Sequence, residues 1–197
     1  MSKKQIITLM SLVVLLVAGI AVWKFLPSAQ TDREDPKYLA DMTLANQYKS
    51  EGAQGDKQAY QKAIDLYKAI IVDTEGKIWL PYLNMGNVYK ALGDYASAEV
   101  AYDGGLKIAG DSVLWMAKIE LYQDYMKKPF TEVQKVYDDS LKSTIENTNI
   151  YLNYASFLAA HGSYKDALAI YKVLLERYPD NQGYKDRIKE LEVKIIN

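Results

Sequence analysis

The chain has 197 residues, of which 49% are hydrophobic and 25% are charged, and its formal net charge is -1. This length allows one or two domains with a sizeable apolar core, and the near-neutral charge excludes a global basic field for nucleic acid. The absence of cysteine excludes disulfide frameworks, thiolate zinc sites and cysteine nucleophiles. The single histidine leaves few ways to build a histidine-based metal site.

The first predicted element is a transmembrane anchor in residues 1–26. Residues 6–23 form a run of 18 residues without a charge, and eleven of them are Leu, Ile or Val. As a helix this run would be roughly 27 Å long, which is close to the thickness of a hydrocarbon core. Lys3 and Lys4 precede the run, so the positive-inside rule predicts a cytoplasmic N-terminus. The rest of the chain would then lie on the periplasmic or external face of a bacterial-type inner membrane.

Two alternatives remain open for this segment, a cleaved signal peptide and a buried soluble helix. Signal-peptide cleavage needs small residues before the cleavage site, but Pro27 occupies one of those positions upstream of the nearest candidate end, Ala29. Residues 27–35 are predicted to form a polar, flexible linker. Asp35 followed by Pro36 is typical of a helix start, because Asp caps free amides and proline loses no needed donor there.

The remaining chain, residues 36–197, repeats itself with a period of about 35 residues. Four columns of similar residues step by 35, 35 and 34 positions. The columns are Tyr60, Tyr95, Phe130, Tyr164; Ala63, Ala98, Val133, Ala167; Tyr67, Tyr102, Tyr137, Tyr171; and Ile71, Leu106, Leu141, Leu175. A period in the range of about 20–50 residues is typical of stacked supersecondary units. The last three columns follow one another at a helical spacing, so each unit is predicted to contain a helix that carries them.

A first helix is predicted before each of these second helices. In the best-defined unit, Tyr82, Met85, Gly86 and Tyr89 share one helical face. Gly93 follows them and favours a turn, because glycine accepts the left-handed conformation that ends many helices. The small residues are predicted to lie where two helices approach closely, with the tyrosines filling the neighbouring space.

Residues 79–112 and 148–181 resemble tetratricopeptide repeats (TPRs), because both carry aromatic, small, glycine and tyrosine residues at that family's spacing. Residues 38–75 and 113–147 resemble such repeats less closely. The resemblance implies an all-α, right-handed TPR solenoid of about four helix pairs, and the transmembrane helix predicted above would precede it. Residues 182–197 are predicted to form a capping helix over the last apolar face. A partner-binding helix is the alternative for this segment.

Two local features each leave two interpretations open. Gly104 and Gly105 are unusual inside a helix, where glycine costs about 1 kcal/mol relative to alanine. They indicate either close helix packing or a hinge between the two halves of the domain. Residues 50–57 are predicted to form a lengthened turn, which would be either a tolerated insertion or a docking loop.

The sequence contains no nucleotide-binding, hydrolase, zincin or calcium-binding motif. His161 has no cysteine or second histidine with which to share a metal, and it is predicted to be an exposed turn residue. We therefore expect a protein that is not an enzyme, with no catalytic residues, cofactor or metal and with no small-molecule substrate or nucleic-acid partner.

The resemblance implies that the first helices line a concave groove for an extended peptide or a partner helix. Amide side chains suit such a groove, because they can bond a peptide backbone whatever its sequence. The predicted groove residues are Leu39, Met42, Asn46, Leu80, Leu83, Asn84, Asn87, Met116, Glu120, Leu152, Asn153 and Ser156.

Some TPR domains grip a C-terminal carboxylate with lysine, arginine and asparagine side chains. Asn46 and Asn84 match the asparagine positions, but Met42, Val113 and Ala117 stand where the basic residues would be. We therefore expect no carboxylate clamp of this kind in the present chain.

The leading functional hypothesis is a membrane-anchored scaffold or chaperone-like adaptor that binds polypeptides in the groove. The layout is similar to that of bacterial membrane-anchored periplasmic TPR proteins. The alternative is a permanent structural subunit of a secretion, pilus or envelope-assembly complex. The fold alone does not choose between these two roles.

Overall fold

A computed structural model describes residues 35–143 and 147–196 of the chain. The predicted membrane anchor and all of the predicted linker except Asp35 lie outside these residues. Within the described ranges, no helix is both long enough and apolar enough to cross a membrane. Residues 40–197 form one compact unit, and the packing described below is that of this unit.

The described residues fold into helices and contain no strand. The helices are α1 (Pro36–Ala53), α2 (Lys57–Asp73), α3 (Leu80–Leu92), α4 (Tyr95–Ile108), α5 (Ser112–Glu120), α6 (Phe130–Ser143), α7 (Thr148–Ala160), α8 (Tyr164–Arg177) and α9 (Gln182–Ile196). The end of α5 continues into a π-helical segment, Leu121–Tyr125. Neighbouring helices of the series α2 to α9 pack against each other along the chain. The predicted all-α fold is therefore confirmed.

The start of α1 follows the predicted capping chemistry. The backbone N–H of Lys37 donates to the Asp35 carboxylate at 2.8 Å, and Pro36 is the first helical residue. The proline has no N–H that needs a partner, so the helix begins there without losing a hydrogen bond.

The repeat columns lie in the structure as their spacing predicts. The small-residue column of Ala63, Ala98, Val133 and Ala167 is buried in all four second helices. The tyrosine column of Tyr67, Tyr102, Tyr137 and Tyr171 is also buried. The flanking aromatic and aliphatic columns are half-buried. One face of each second helix therefore supplies the packing surface, as the helical spacing requires.

The two glycines inside α4 are explained by packing. A Cβ on Gly104 would lie 2.7 Å from the Tyr82 ring, and one on Gly105 would lie 2.9 Å from Leu114. Since α4 runs without interruption through both residues, close approach to α3 and α5 accounts for them, and no hinge is needed.

The turns between paired helices differ in which residue takes the left-handed backbone conformation. Gly93 and Gly162 have φ angles of 80° and 78°, which are left-handed values that favour glycine. In the third pair the left-handed residue is Lys127, with φ of 49°, beside the π-helical segment. The predicted long turn at residues 50–57 is wrong, because α1 continues to Ala53 and α2 begins at Lys57. The inserted residues lengthen the helix instead of the turn.

Replacing Ala98 with leucine should lower the free energy of unfolding by about 1–3 kcal/mol, because added methylenes in a filled core force side chains out of their rotamers. Ala98 is fully buried, whereas Ala96 is exposed on the same helix. Ala96→Leu is therefore the matched control and should change stability by about 0.5 kcal/mol or less. Denaturant unfolding measures both variants, and equal stabilities would contradict the predicted nesting of the helices.

Candidate functional site

A cavity of about 740 Å³ lies on the face formed by α3, α5, the π-helical segment and α7. These are first helices of their pairs, together with the segment that continues one of them. The lining residues are Leu83, Asn87, Val113, Met116, Ala117, Ile119, Glu120, Gln123, Asp124, Tyr137, Asn153, Ser156, Phe157, Ala160 and His161. We call this cavity the groove.

Half of the predicted binding residues line the groove. They are Leu83, Asn87, Met116, Glu120, Asn153 and Ser156. They come from three different helices, and the helix-pair stacking brings them to one surface. Their role in binding stays a prediction, because lining a cavity does not identify a ligand.

The other six predicted residues lie elsewhere. Met42 is buried. Leu80 and Leu152 are half-buried, and each packs against buried apolar residues of the core. Leu39 is 51% exposed and lies in α1, outside the unit of residues 40–197.

The two remaining residues, Asn46 and Asn84, form hydrogen bonds within the domain. The carboxamide of Asn84 is buried and accepts from the Lys49 ammonium at 2.9 Å. Burial lowers the pKa of this lysine. Asn46 accepts from the hydroxyl of Tyr67 at 2.8 Å. Neither asparagine lines the groove.

Three members of the buried tyrosine column form hydrogen bonds with amide side chains through their hydroxyl groups. Tyr102 donates to the Asn87 carboxamide oxygen at 2.8 Å, and Tyr137 donates to the Gln123 oxygen at 2.9 Å. The Tyr67–Asn46 bond is the equivalent contact in the first pair. Burial raises the pKa of all three phenols, so their hydroxyls stay protonated as donors.

These bonds orient the amide groups at the groove surface. A carboxamide has one oxygen that accepts and one NH₂ group that donates. In Asn87 and Gln123 the carboxamide oxygen already accepts a hydrogen bond from a tyrosine hydroxyl, so the NH₂ group is the part that remains for a ligand. Both residues line the groove, and each can therefore donate to a peptide carbonyl oxygen.

Sequence reasoning missed Gln123 and Asp124. The third unit has no glycine turn, and its first helix ends in a π-helical segment, which shifts the register of a regular helix. The available signal was spacing, because positions 123 and 124 lie three and four residues after Glu120. Sequence reasoning also did not expect His161 to line the groove; it is exposed, as predicted, and its Nδ1 lies 2.8 Å from the Phe157 carbonyl oxygen.

The charged groups of the groove are mostly acidic. Glu120 pairs with the ammonium of Lys90 at 2.8 Å, which joins α3 to α5. Asp124 has no ion-pair partner within the described part of the chain. Burial is the largest cause of the raised pKa values of Tyr102 and Tyr137. The negative charges of Glu120 and Asp124, respectively, raise these two pKa values further.

The described residues contain no cluster of metal-binding side chains. Across residues 35–143 and 147–196, no group of three or more His, Asp or Glu side chains is placed to hold a metal ion. The groove instead offers amide donors, carboxylates and apolar side chains.

No protein-family model and no curated protein matches the sequence. Solved structures do match the fold. A chain of the Naa15/Naa10 complex bound to HypK-THB is similar to 80% of this chain, with a TM-score of 0.58 and 16% identity. The present chain spans only 23% of that chain.

Two smaller proteins are similar over more of their own length. YrrB, a TPR protein with an unusual peptide-binding site, gives a TM-score of 0.52 and 15% identity over 86% of this chain and 84% of its own. A tetratricopeptide repeat protein from Parabacteroides merdae gives 0.51 and 17%, over 83% of this chain and 62% of its own. The described part of this chain therefore has the helical repeat fold of TPR proteins.

Replacing Asn87 with alanine should lower the free energy of unfolding by about 1 kcal/mol, because it removes the acceptor of a buried hydroxyl. Tyr102→Phe removes the donor of the same bond. In a double-mutant cycle the two changes should couple by about 0.5–1.5 kcal/mol.

Asn153→Ala provides the control, because this amide is exposed and its NH₂ group forms only a long hydrogen bond, 3.6 Å to the Met116 sulfur. It should change stability by about 0.5 kcal/mol or less. Strictly additive effects of Asn87→Ala and Tyr102→Phe on denaturant unfolding would contradict the hydrogen bond.

Proposed function

We propose that the chain is a protein-interaction scaffold or chaperone-like adaptor that binds an extended polypeptide in the groove. The groove is the observation that carries the proposal, because it combines a large volume with several helices that each contribute polar and apolar side chains. Asn87 and Gln123 supply NH₂ donors that the buried tyrosines orient. Such donors suit backbone carbonyl oxygens and bind without reading a particular sequence.

A binding role without catalysis is part of the proposal. Catalysis needs a general acid, base or nucleophile positioned beside a partner group. In the groove, the Glu120 carboxylate is paired with Lys90 and the Tyr137 hydroxyl donates to Gln123, so neither group is free to take that role. The similarity to YrrB, a TPR protein with a peptide-binding site, supports peptide binding in this chain as well.

The proposal also includes a membrane location. Residues 6–23 are uncharged and rich in Leu, Ile and Val, and Lys3 and Lys4 precede them. These features support a single-pass anchor with the TPR domain on the periplasmic or external side of a bacterial-type inner membrane. An adaptor held there would receive polypeptides close to the bilayer.

Site-specific photocrosslinking in intact cells tests the proposed groove. A benzoylphenylalanine placed at Ser156, which is exposed on α7 and lines the groove, should form adducts with polypeptide partners. The same group placed at Lys172, which is exposed on α8 and does not line the groove, is the matched control and should form few or none.

Adducts from Lys172 with none from Ser156 would contradict groove binding. One partner of fixed stoichiometry, linked through the second helices, would instead favour the permanent structural subunit. Mass spectrometry of the adducts distinguishes these results.

A further inference from the structure

The charge of the groove indicates what kind of peptide it takes, an inference that rests on the proposed function. Glu120 and Asp124 line the groove, and no lysine or arginine does so among the described residues. The whole chain has a net charge of only -1, so this local sign is not a consequence of overall acidity. The two acidic lining residues come from the end of α5 and from the π-helical segment.

The two carboxylates differ in their ion-pair partners. Glu120 is bound through Oε2 to the Lys90 ammonium, whose Nζ also lies 5.0 Å from the centre of the Tyr125 ring. The lysine is thus held at the edge of the groove, and it compensates one of the two charges. Asp124 is exposed and has no ion-pair partner in the described ranges, so its charge is left for a ligand.

A cationic side chain also needs an apolar surface for its stem. Lysine and arginine bury their methylene groups against apolar neighbours while the charged end bonds a carboxylate. Met116 and Phe157 line the groove together with the two acids, and Val113 is 52% exposed there. The groove therefore offers an apolar surface and a carboxylate within one cavity.

We propose that the groove binds an extended polypeptide segment in which a lysine or arginine lies next to apolar residues. The cation pairs with Asp124, the apolar neighbours contact Val113 and Met116, and the peptide carbonyl groups accept from Asn87 and Gln123. The partner is a cationic segment and not an acidic tail, because an acidic side chain would meet Asp124 with like charge.

The test uses the full-length chain and three fluorescent nine-residue peptides that differ at one central position between leucines. That position is arginine, glutamine or glutamate, and fluorescence anisotropy gives the Kd of each. The arginine peptide should bind about fivefold or more tightly than the glutamate peptide, as a partly exposed charge pair allows. Raising the salt concentration should weaken the arginine peptide most.

Two variants locate the charge that is responsible. Asp124→Asn should weaken the arginine peptide about threefold or more and leave the glutamine peptide unchanged. Asp65→Asn is the matched control, because Asp65 is an exposed carboxylate on α2 outside the groove and the charge change is identical. It should leave all three Kd values unchanged.

Equal affinities for the arginine and glutamate peptides, or equal effects of Asp124→Asn and Asp65→Asn, would overturn the cationic preference. Binding of the glutamine peptide in those cases would leave the proposed function standing. Failure of all three peptides to bind would also overturn the preference. The Ser156 crosslinks would then decide separately whether the groove receives polypeptides at all.

Discussion

The packing of tyrosine rings against small residues holds the helix pairs together. In the second pair, the Tyr102 ring of α4 is fully buried against Gly86 of α3. In the first and fourth pairs, the equivalent small residues are Ala45 and Ala155, and both are fully buried. A small residue lets the two helix axes approach, and the ring then fills the interior at the density that cores require.

The same tyrosines connect the core to the surface that we propose binds peptides. In the first two pairs the buried Tyr67 and Tyr102 reach with their hydroxyls to an amide on the first helix, and in the third pair Tyr137 reaches Gln123 of the π-helical segment. Asn46 and Asn87 directly follow Ala45 and Gly86 in the sequence, and Tyr102 both packs against Gly86 and bonds Asn87. The groove donors of Asn87 and Gln123 are therefore positioned by the fold itself. Substitutions in the tyrosine column should therefore change both the stability of the fold and the binding of a peptide.

Much of the fold could be predicted from the sequence, because residues recur in the repeat columns where burial in the helix packing requires them. Ala63, Ala98, Val133 and Ala167 recur at fixed spacing since each must fit between two helices. Departures from the repeat were harder to predict. The extension of α1 to Ala53 and the π-helical segment after α5 each occur in one unit only, so no column reports them.

The groove was predictable only in part, because exposed positions carry no burial pattern. Asn84 and Asn87 have the same type of side chain one turn apart, yet Asn84 is bonded by Lys49 and Asn87 faces the groove. Which partner each amide takes depends on the neighbouring helices, and that information is not local in the sequence. Asp124 was missed because its unit departs most from the repeat. The acidic character of the groove therefore depends on how the helices are arranged, and no local sequence pattern indicates it.

The free energy of unfolding of Gly86→Ala tests the central claim most directly. Helix propensity alone predicts that alanine stabilises α3 by about 1 kcal/mol. Close packing predicts the opposite sign, because a Cβ at this position would lie 2.6 Å from Tyr102 Cδ1 in a fully buried ring. We expect a loss of about 1–3 kcal/mol, as for other overpacked cores. A gain in stability would contradict the account, since it would show that the ring and the helix are not in close contact.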